Sequence, residues 1–394
     1  MTNRLINFLI RFTSGALFSS IAVLATVVVG AYISLYSSKI VLQFDEICLP
    51  IIRPCGEKAY PEISIAMISM ILLAGLLLIR ELSVSKENNS AKNKLQDFIK
   101  STPSKSFLER YTTYMRLIGT IRLEIKEIVA SENPDVEKIH KCIRSCLHGL
   151  ISLAKDWDGN DGRSYIYRAN IMTMVPSEFF TPVSISDDTV KNVIDITDKG
   201  KLFLYNGSIL TKVRKCSGIL ILEDTTFTVS TNVAFAQIDD SIKDPICFPY
   251  TEQSYNGSQQ QPIIPGAPAC ASFGSTQYLA DTRREIDVFL ANTQHKDKEF
   301  CNRFKNDVNE YYNSMDEAQS ILSIPIQLKR KGDFEPDTPH SLQYETIAVL
   351  NIYRNRTGIF RDIDSAMSFA QLMEPICYHF AKMLVSLSEV EPDA

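Results

Sequence analysis

A chain of 394 residues is long enough for two or three domains of ~100 to 200 residues each, so core size is no obstacle to folding. Hydrophobic residues at 45% and charged residues at 22%, with 16 Gly and 17 Pro, exclude a collagenous or largely disordered chain. The 41 Lys and Arg against 46 Asp and Glu leave a formal net charge of -5, and no basic stripe interleaved with aromatics is present, so a nucleic-acid polymer is not an expected partner.

From the N-terminus, no charge falls between Arg11 and Lys39, and the 24 residues from Phe12 to Leu35 suffice to cross a ~30 Å hydrocarbon layer. A cleaved signal peptide would have a shorter apolar core and a small-residue cleavage site, which this stretch lacks. A second charge-free run of 17 residues, Ile63 to Ile79, sits at the short limit for a span and has Tyr60 and Arg80 as interfacial anchors. We therefore expect residues 1–82 to form a two-span hairpin in a lipid bilayer, with spans at about 12–35 and 63–80. Arg4 and Arg11 precede the first span, and Arg80, Lys86, Lys92 and Lys94 follow the second; the connecting loop has only Lys39, Arg53 and Lys58. The basic flanks place both termini in the cytoplasm, as expected of a multi-pass protein of a bacterial inner membrane. Cys48 and Cys55 in that loop would then face an oxidising compartment, where a short disulfide can form. The other seven cysteines contain no CxxC pair and are expected to be reduced.

Residues 83–132 read as a linker followed by a heptad helix. The stretch 83–106 is polar, and Pro103 interrupts any helix through it. Phe107, Tyr111, Tyr114, Ile118, Ile121, Ile125 and Ile128 then recur at alternating spacings of four and three, an a/d seam of about three heptads. Such a seam fits a partner helix from a second copy, and equally the flank of its own domain. Membrane anchoring, which concentrates copies in a plane, favours self-association.

The remainder, 133–394, reads as a cytoplasmic α+β domain. Asn133 and Pro134 suit a cap before an amphipathic helix over Val136 to Ala154. Strand-like runs follow at Tyr165 to Val175, Lys201 to Leu204 with Ile209 to Val213, Gly218 to Leu222, Phe227 to Val229, Ser320 to Leu328 and Thr346 to Tyr353. An amphipathic helix from about Ile363 to Leu387 closes the chain. Interleaved helices are too few for a parallel doubly wound sheet.

The run S-I-L-S-I-P-I from Ser320, the run A-V-L-N-I-Y from Ala348, and a Phe-x3-Asp step into the last helix resemble a GAF domain, a small-molecule sensor fold, over about 133–390. The resemblance implies an antiparallel sheet of about six strands, with those two runs as central neighbours and the terminal helices on one face. Cyclic-nucleotide-binding members carry Asn-Lys, a short gap, then Phe-x3-Asp-Glu. The matching positions here are Asn355, Arg356, Phe360, Asp364 and Ser365, so Arg replaces Lys and Ser replaces Glu. These residues are expected to form a structural clasp beside the pocket, in which Arg356 can pair with Asp364. Between Thr231 and Glu317 lies a long stretch with a turn-rich segment, Ser254 to Pro268; in the resembling family this region covers the ligand. Opposite it, period-two alternation puts Arg168 and Asn170 on one face of a strand, as ligand-binding candidates; a solvent-facing edge would account for the same pair.

Other constellations carry less. His140, Cys142, Cys146 and His148 crowd one segment, but at 100° per residue the histidines point away from the cysteines, so no metal is expected. Asp156 to Asp161 resembles the start of a calcium loop, yet Asp161 stands where glycine is required and Tyr167 where the bidentate Glu belongs. Cys377 and His379 face opposite ways on the last helix, and no nucleotide-loop, zincin, hydrolase or kinase motif is present. We expect no catalytic residue and no cofactor. The expectation is a membrane-anchored cytoplasmic sensor of a small molecule or nucleotide, relaying binding to its membrane helices or to a protein partner, with no separate output domain. Two alternatives stand beside it: a nucleotide-gated, membrane-disrupting effector of the two-span kind found in bacterial antiviral systems, and a GAF-like scaffold that binds only proteins.

Overall fold

The computed structural model describes residues 16–45, 61–101, 103–159, 165–182, 191–222, 225–239, 245–252, 261–294, 298–314, 317–330 and 344–390. The chain forms two compact units, Met1–Thr102 and Pro103–Ala394.

The first unit contains α1 (Ala16–Leu35), α2 (Ser37–Asp45) and α3 (Pro61–Ser101). Among the described residues, two helices are long and apolar enough to cross a membrane, over Phe18–Leu35 and Glu62–Lys86. They pack on each other through small or slender residues, with Ala22, Ile63 and Ala66 buried, so the backbones come close. Val23, Leu24, Val27, Ile68, Ile71 and Leu72 point outward and are exposed. The hydroxyls of Thr26, Ser69 and Ser83 donate to carbonyls of their own helices, at 2.8, 3.0 and 2.8 Å, so these apolar helices leave those groups satisfied. Lys39 and Glu62 pair at 3.6 Å. From Glu62 to Arg80 the helix rises about 27 Å, close to the hydrocarbon thickness. The polar residues after the second span are not a separate linker: α3 runs unbroken to Ser101, because no Gly or Pro interrupts 76–101, and it ends before Pro103. Cys48 and Cys55 lie outside the described residues.

The second unit is α+β. Its strands are β1 (Tyr167–Pro176), β2 (Gly218–Leu222), β3 (Thr228–Ser230), β4 (Ile246–Tyr250), β5 (Gln277–Leu279), β6 (Ser320–Lys329) and β7 (Tyr344–Arg354). All pair antiparallel, in the order β4-β2-β1-β7-β6-β5, with β3 also paired to β1. The two runs Ser320 to Ile326 and Ala348 to Tyr353 are thus neighbours near the centre. Pro249 sits on the edge strand β4, and Pro325 lies beyond the stretch of β6 that β5 covers, so each proline is placed where a missing donor costs least.

One face of the sheet is covered by α4 (Lys105–Val129), α5 (Val136–Asp158) and α11 (Ile363–Ser388). Ala169, Ile171, Leu322, Ile324, Leu350 and Ile352 meet Ile118, Ile125, Leu147, Phe369, Met373 and Phe380 there. The β2–β4 end of this face carries α6 (Lys191–Lys199) and α7 (Ile209–Val213), which bury Val193, Ile196 and Val213 on Ile219, Ile221 and Cys247. On the other face, Met172, Leu220, Leu222 and Val349 pack against α8 (Ala267–Phe273), α9 (Thr282–Asn292) and α10 (Lys298–Ser314).

Two expectations are corrected here. The heptad seam is not a dimer seam: Phe107, Tyr114, Ile118, Ile121 and Ile125 are buried in the chain's own core, and Tyr111 and Ile128 pack at its border. The partner helices are α5 and α11, and Tyr111 donates to the Leu372 carbonyl at 2.7 Å. Approach is close enough that a Cβ on Gly149 of α5 would lie 2.2 Å from the Tyr114 ring. Second, the expected strand over 209–213 is the helix α7, and 201–204 is irregular, while the stretch 231–317 contributes α8, α9, α10, β4 and β5.

Candidate functional site

On the face beneath α8 to α10, alternation along β1 and β7 sets polar side chains in register. Arg168, Asn170 and Met172 lie opposite Tyr353, Asn351 and Val349, and Asn351 is also opposite Ser323 of β6. Ser323 Oγ donates to Asn351 Oδ1 at 2.7 Å, Asn351 Nδ2 donates to Asn170 Oδ1 at 2.9 Å, and Asn170 Nδ2 reaches the Tyr353 hydroxyl at 3.4 Å. Every member is buried, with both asparagines at 5% exposure. A hydrogen-bonded row of this kind inside an apolar core is costly unless satisfied, and it fixes the orientation of each amide.

A cavity of about 50 Å³ stands over the row. Asn170, Asn351 and Tyr353 form its floor, Ile246 and Phe248 of β4 one wall, and Tyr311 and Tyr312 of α10 another; Ala267, Pro268 and Ala318 are among the other lining residues. The aromatic walls meet edge to face, Phe248 with Tyr311 at 5.4 Å and 90°, Tyr311 with Tyr312 at 5.0 Å and 86°. Burial pushes the phenols of Tyr312, Tyr353 and Tyr311 above their ordinary range, and the other two phenols add to the shift at Tyr311. All three are therefore neutral at physiological pH. Among the described residues, the hydroxyls of Tyr311 and Tyr312 have no hydrogen-bond partner. Segment 254–268 contributes to this cavity through Gly266, Ala267 and Pro268, while its residues 254–260 lie outside the described residues.

The two strand residues expected to bind ligand separate in role. Asn170 lines the cavity; Arg168, two positions along the same face, is not part of its wall. Arg168 Nε instead donates to Asp239 Oδ2 at 2.9 Å, both side chains being buried, and its Nη1 is buried without a partner. Tyr353, Tyr311, Tyr312 and Asn351 were not singled out from the sequence. An Asn in the midst of the apolar run AVLNIY was the available signal for Asn351, whereas Tyr311 and Tyr312 sit on a helix with no distinguishing pattern.

The expected clasp is built differently. Asn355 Oδ1 accepts from the Ile166 N–H at 2.9 Å, Arg356 and Asp364 are exposed, and among the described residues no ion pair joins them. Phe360 is buried and stacks on Phe369 at 4.6 Å, held at φ +66°. The buried arginine is Arg354, whose Nη1 pairs with Asp158 at the end of α5. Asp158 also accepts from the Tyr167 hydroxyl at 2.5 Å and the Phe360 N–H at 3.2 Å. The acidic stretch at 156–158 is thus the last turn of α5, closed by Gly159 in the left-handed region.

The remaining candidates are dispersed. His140 packs edge-on against Phe227 at 5.3 Å, His148 lies tilted against Phe235 at 5.5 Å, and no group of three or more metal-ligating side chains occurs among the described residues. Burial pushes the thiols of Cys216, Cys247 and Cys377 up to about 12, which keeps them protonated and unreactive. A larger, more open groove of about 550 Å³ runs between α4 and α5, and Arg110 bridges it with a two-pronged pair to Asp156 at 2.6 and 2.7 Å. No family model, curated protein or solved structure matches this chain.

Proposed function

We propose that the chain is a membrane-anchored small-molecule sensor with a GAF-like second unit, and that its ligand occupies the cavity over Asn170, Asn351 and Tyr353. The observation that carries this reading is the cavity itself: a hydrogen-bonded polar row and unpaired phenols converge on a small space inside an otherwise apolar core. The antiparallel order, with β6 and β7 as central neighbours and α4, α5 and α11 on one face, supports the GAF-like reading. The basic residues flanking both spans support cytoplasmic termini, and hence a cytoplasmic sensor.

Relay follows from connectivity. A ligand that favours one packing of α10 on the sheet shifts the balance between two states of the sheet and of the helices on its far face, which include α4. Only residues 102–104 separate α4 from α3, and α3 is a single helix that includes the second candidate span. The output is then a change in the membrane helices or in a protein partner that reads them.

Thermal unfolding of the full chain in detergent, titrated with a metabolite library that includes cyclic mono- and dinucleotides, tests the reading. A ligand at 100 times its Kd adds ~2.7 kcal/mol, a shift well outside scatter. No shift from a folded sample would leave a protein-contact scaffold. Ligand-triggered ion leakage from proteoliposomes would make the spans themselves the output, the effector variant.

A further inference from the structure

We infer that the cavity takes a neutral planar heterocycle with a hydrogen-bond-accepting edge, and not a phosphate-bearing nucleotide; this rests on the sensor reading above. Among the described residues, no ionised side chain lines the cavity: its polar groups are two carboxamides and three phenols. Arg168, the nearest buried cation along β1, stands outside the wall and is already matched by Asp239. A phosphate drawn into this space would lose its hydration without meeting a counter-charge, which a buried anion does not tolerate.

The hydrogen-bond inventory gives the ligand's polarity. A carboxamide has two N–H donors, and Asn351 and Asn170 each spend one, on Asn170 Oδ1 and on the Tyr353 oxygen. Each keeps a second N–H, and the Tyr353 oxygen, already an acceptor, keeps its own proton to donate. Both asparagine oxygens already accept a bond. Each of these oxygens, like that of Tyr353, keeps a second lone pair, so the floor offers three spare donors beside three spare acceptors, and the donors are met by a carbonyl or ring nitrogen. Phe248, Tyr311 and Tyr312 present ring faces and edges, the contacts that a flat π-system makes best. The space, about 50 Å³, is about a third of the ~150 Å³ that encloses a benzene ring, so it admits the polar edge of a ring whose remainder lies in the open mouth, and it has no room for an appended sugar phosphate.

The test uses the full chain in detergent and thermal unfolding with three matched pairs at equal concentration: nicotinamide and nicotinate, indole-3-carboxamide and indole-3-carboxylate, adenine and adenosine 3′,5′-cyclic monophosphate. The expected result is a rise in Tm with the neutral member of at least one pair and none with its anionic counterpart. Tyr312→Phe, which keeps the ring and removes one hydroxyl, should weaken that binding by about 2- to 10-fold. Ala318→Leu, which fills the cavity, should abolish the shift while leaving the ligand-free protein folded. Equal or larger shifts from the anionic members would overturn the neutral class and leave the sensor reading standing. A shift from a deproteinised cell extract but from no pair would do the same, and no shift from either would remove both.

Discussion

Asp158 joins three elements through one carboxylate. It ends α5, pairs with Arg354 at the end of β7, accepts from Tyr167 at the start of β1, and takes the N–H of Phe360 in the turn before α11. The Arg354 and Asp158 side chains are 4% and 3% exposed, so neither charge is screened. Removing one partner of such a pair costs more than the pair is worth, because the other is left buried and alone. Asp158→Ala should destabilise the second unit by about 3–5 kcal/mol in urea unfolding, and the double variant Asp158→Leu with Arg354→Leu should lose less than the single change. His148 sets an acid-side limit. Desolvation lowers its pKa below the ordinary 6.5, against an opposing backbone hydrogen bond at Gln237. The unfolded chain then binds the proton more readily than the folded one. The stability it contributes is complete above pH 6.5 and is lost as pH falls below that value toward the lowered folded pKa. His379 is shifted the same way, by burial and then by Arg122. Melting temperature should fall between pH 7 and 5, and His148→Gln should flatten that slope; a slope unchanged by the substitution would assign it to other groups.

At the scale of the element, α4 decides what counts as the folded unit. Five of its residues are buried against α5 and α11, so a fragment starting at residue 133 lacks one layer of its core. Pro103–Ala394 should give a sharp unfolding transition, whereas 133–394 should be aggregated or show none. Within the intact unit, Ile118→Ala should cost about 2–5 kcal/mol and leave the oligomeric state unchanged, as light scattering would show. Gly149→Ala, which sets a methyl group against the Tyr114 ring, should cost about 1–3 kcal/mol. The heptad spacing of α4 was plain in the sequence, but spacing does not say whose helix fills the seam; that depended on the apolar face of α11, more than 200 residues away. Strands β1, β2, β6 and β7 were legible because each is an apolar run buried on both faces. Pro249 hid β4, and at three residues β5 is too short to show a period. The segment 209–213, Ile-Leu-Thr-Lys-Val, reads as a strand by composition; in the fold it is a short helix whose Lys212 turns inward to the carbonyls of Thr197 and Gly200 at 3.3 and 3.2 Å, at the end of α6, a tertiary contact that composition does not show. Half of the candidate site was visible in the same way. Asn170 stood out in an apolar strand, while the α10 tyrosines reach it only through the tertiary fold.

For the whole molecule, the two units make opposite demands on solvent. The outward faces of α1 and α3 present contiguous apolar side chains that water would not tolerate, whereas the second unit buries its apolar residues on both sides of one sheet. The full chain should therefore sediment with membranes and resist extraction by alkaline carbonate, and Pro103–Ala394 should remain in the supernatant. If that fragment also sediments, it has a membrane-binding surface of its own, and the anchoring assigned to α1 and α3 is incomplete. Coupling between the units is a separate property with a separate test. Residues 102–104 are the only covalent route from the cavity's domain to α3, and Pro103 stiffens it by fixing φ and removing a donor. A relay through rigid segments loses its signal when a flexible spacer is inserted, because each added Gly-Ser unit lets one side move without the other. Inserting six Gly and Ser residues after Ser101 should leave ligand-induced thermal stabilisation unchanged and abolish any ligand-dependent change in the cross-linking of α1 or α3 in membranes. If the cross-linking response survives the insertion, the signal passes between the units by direct contact or through a partner protein and not through the backbone.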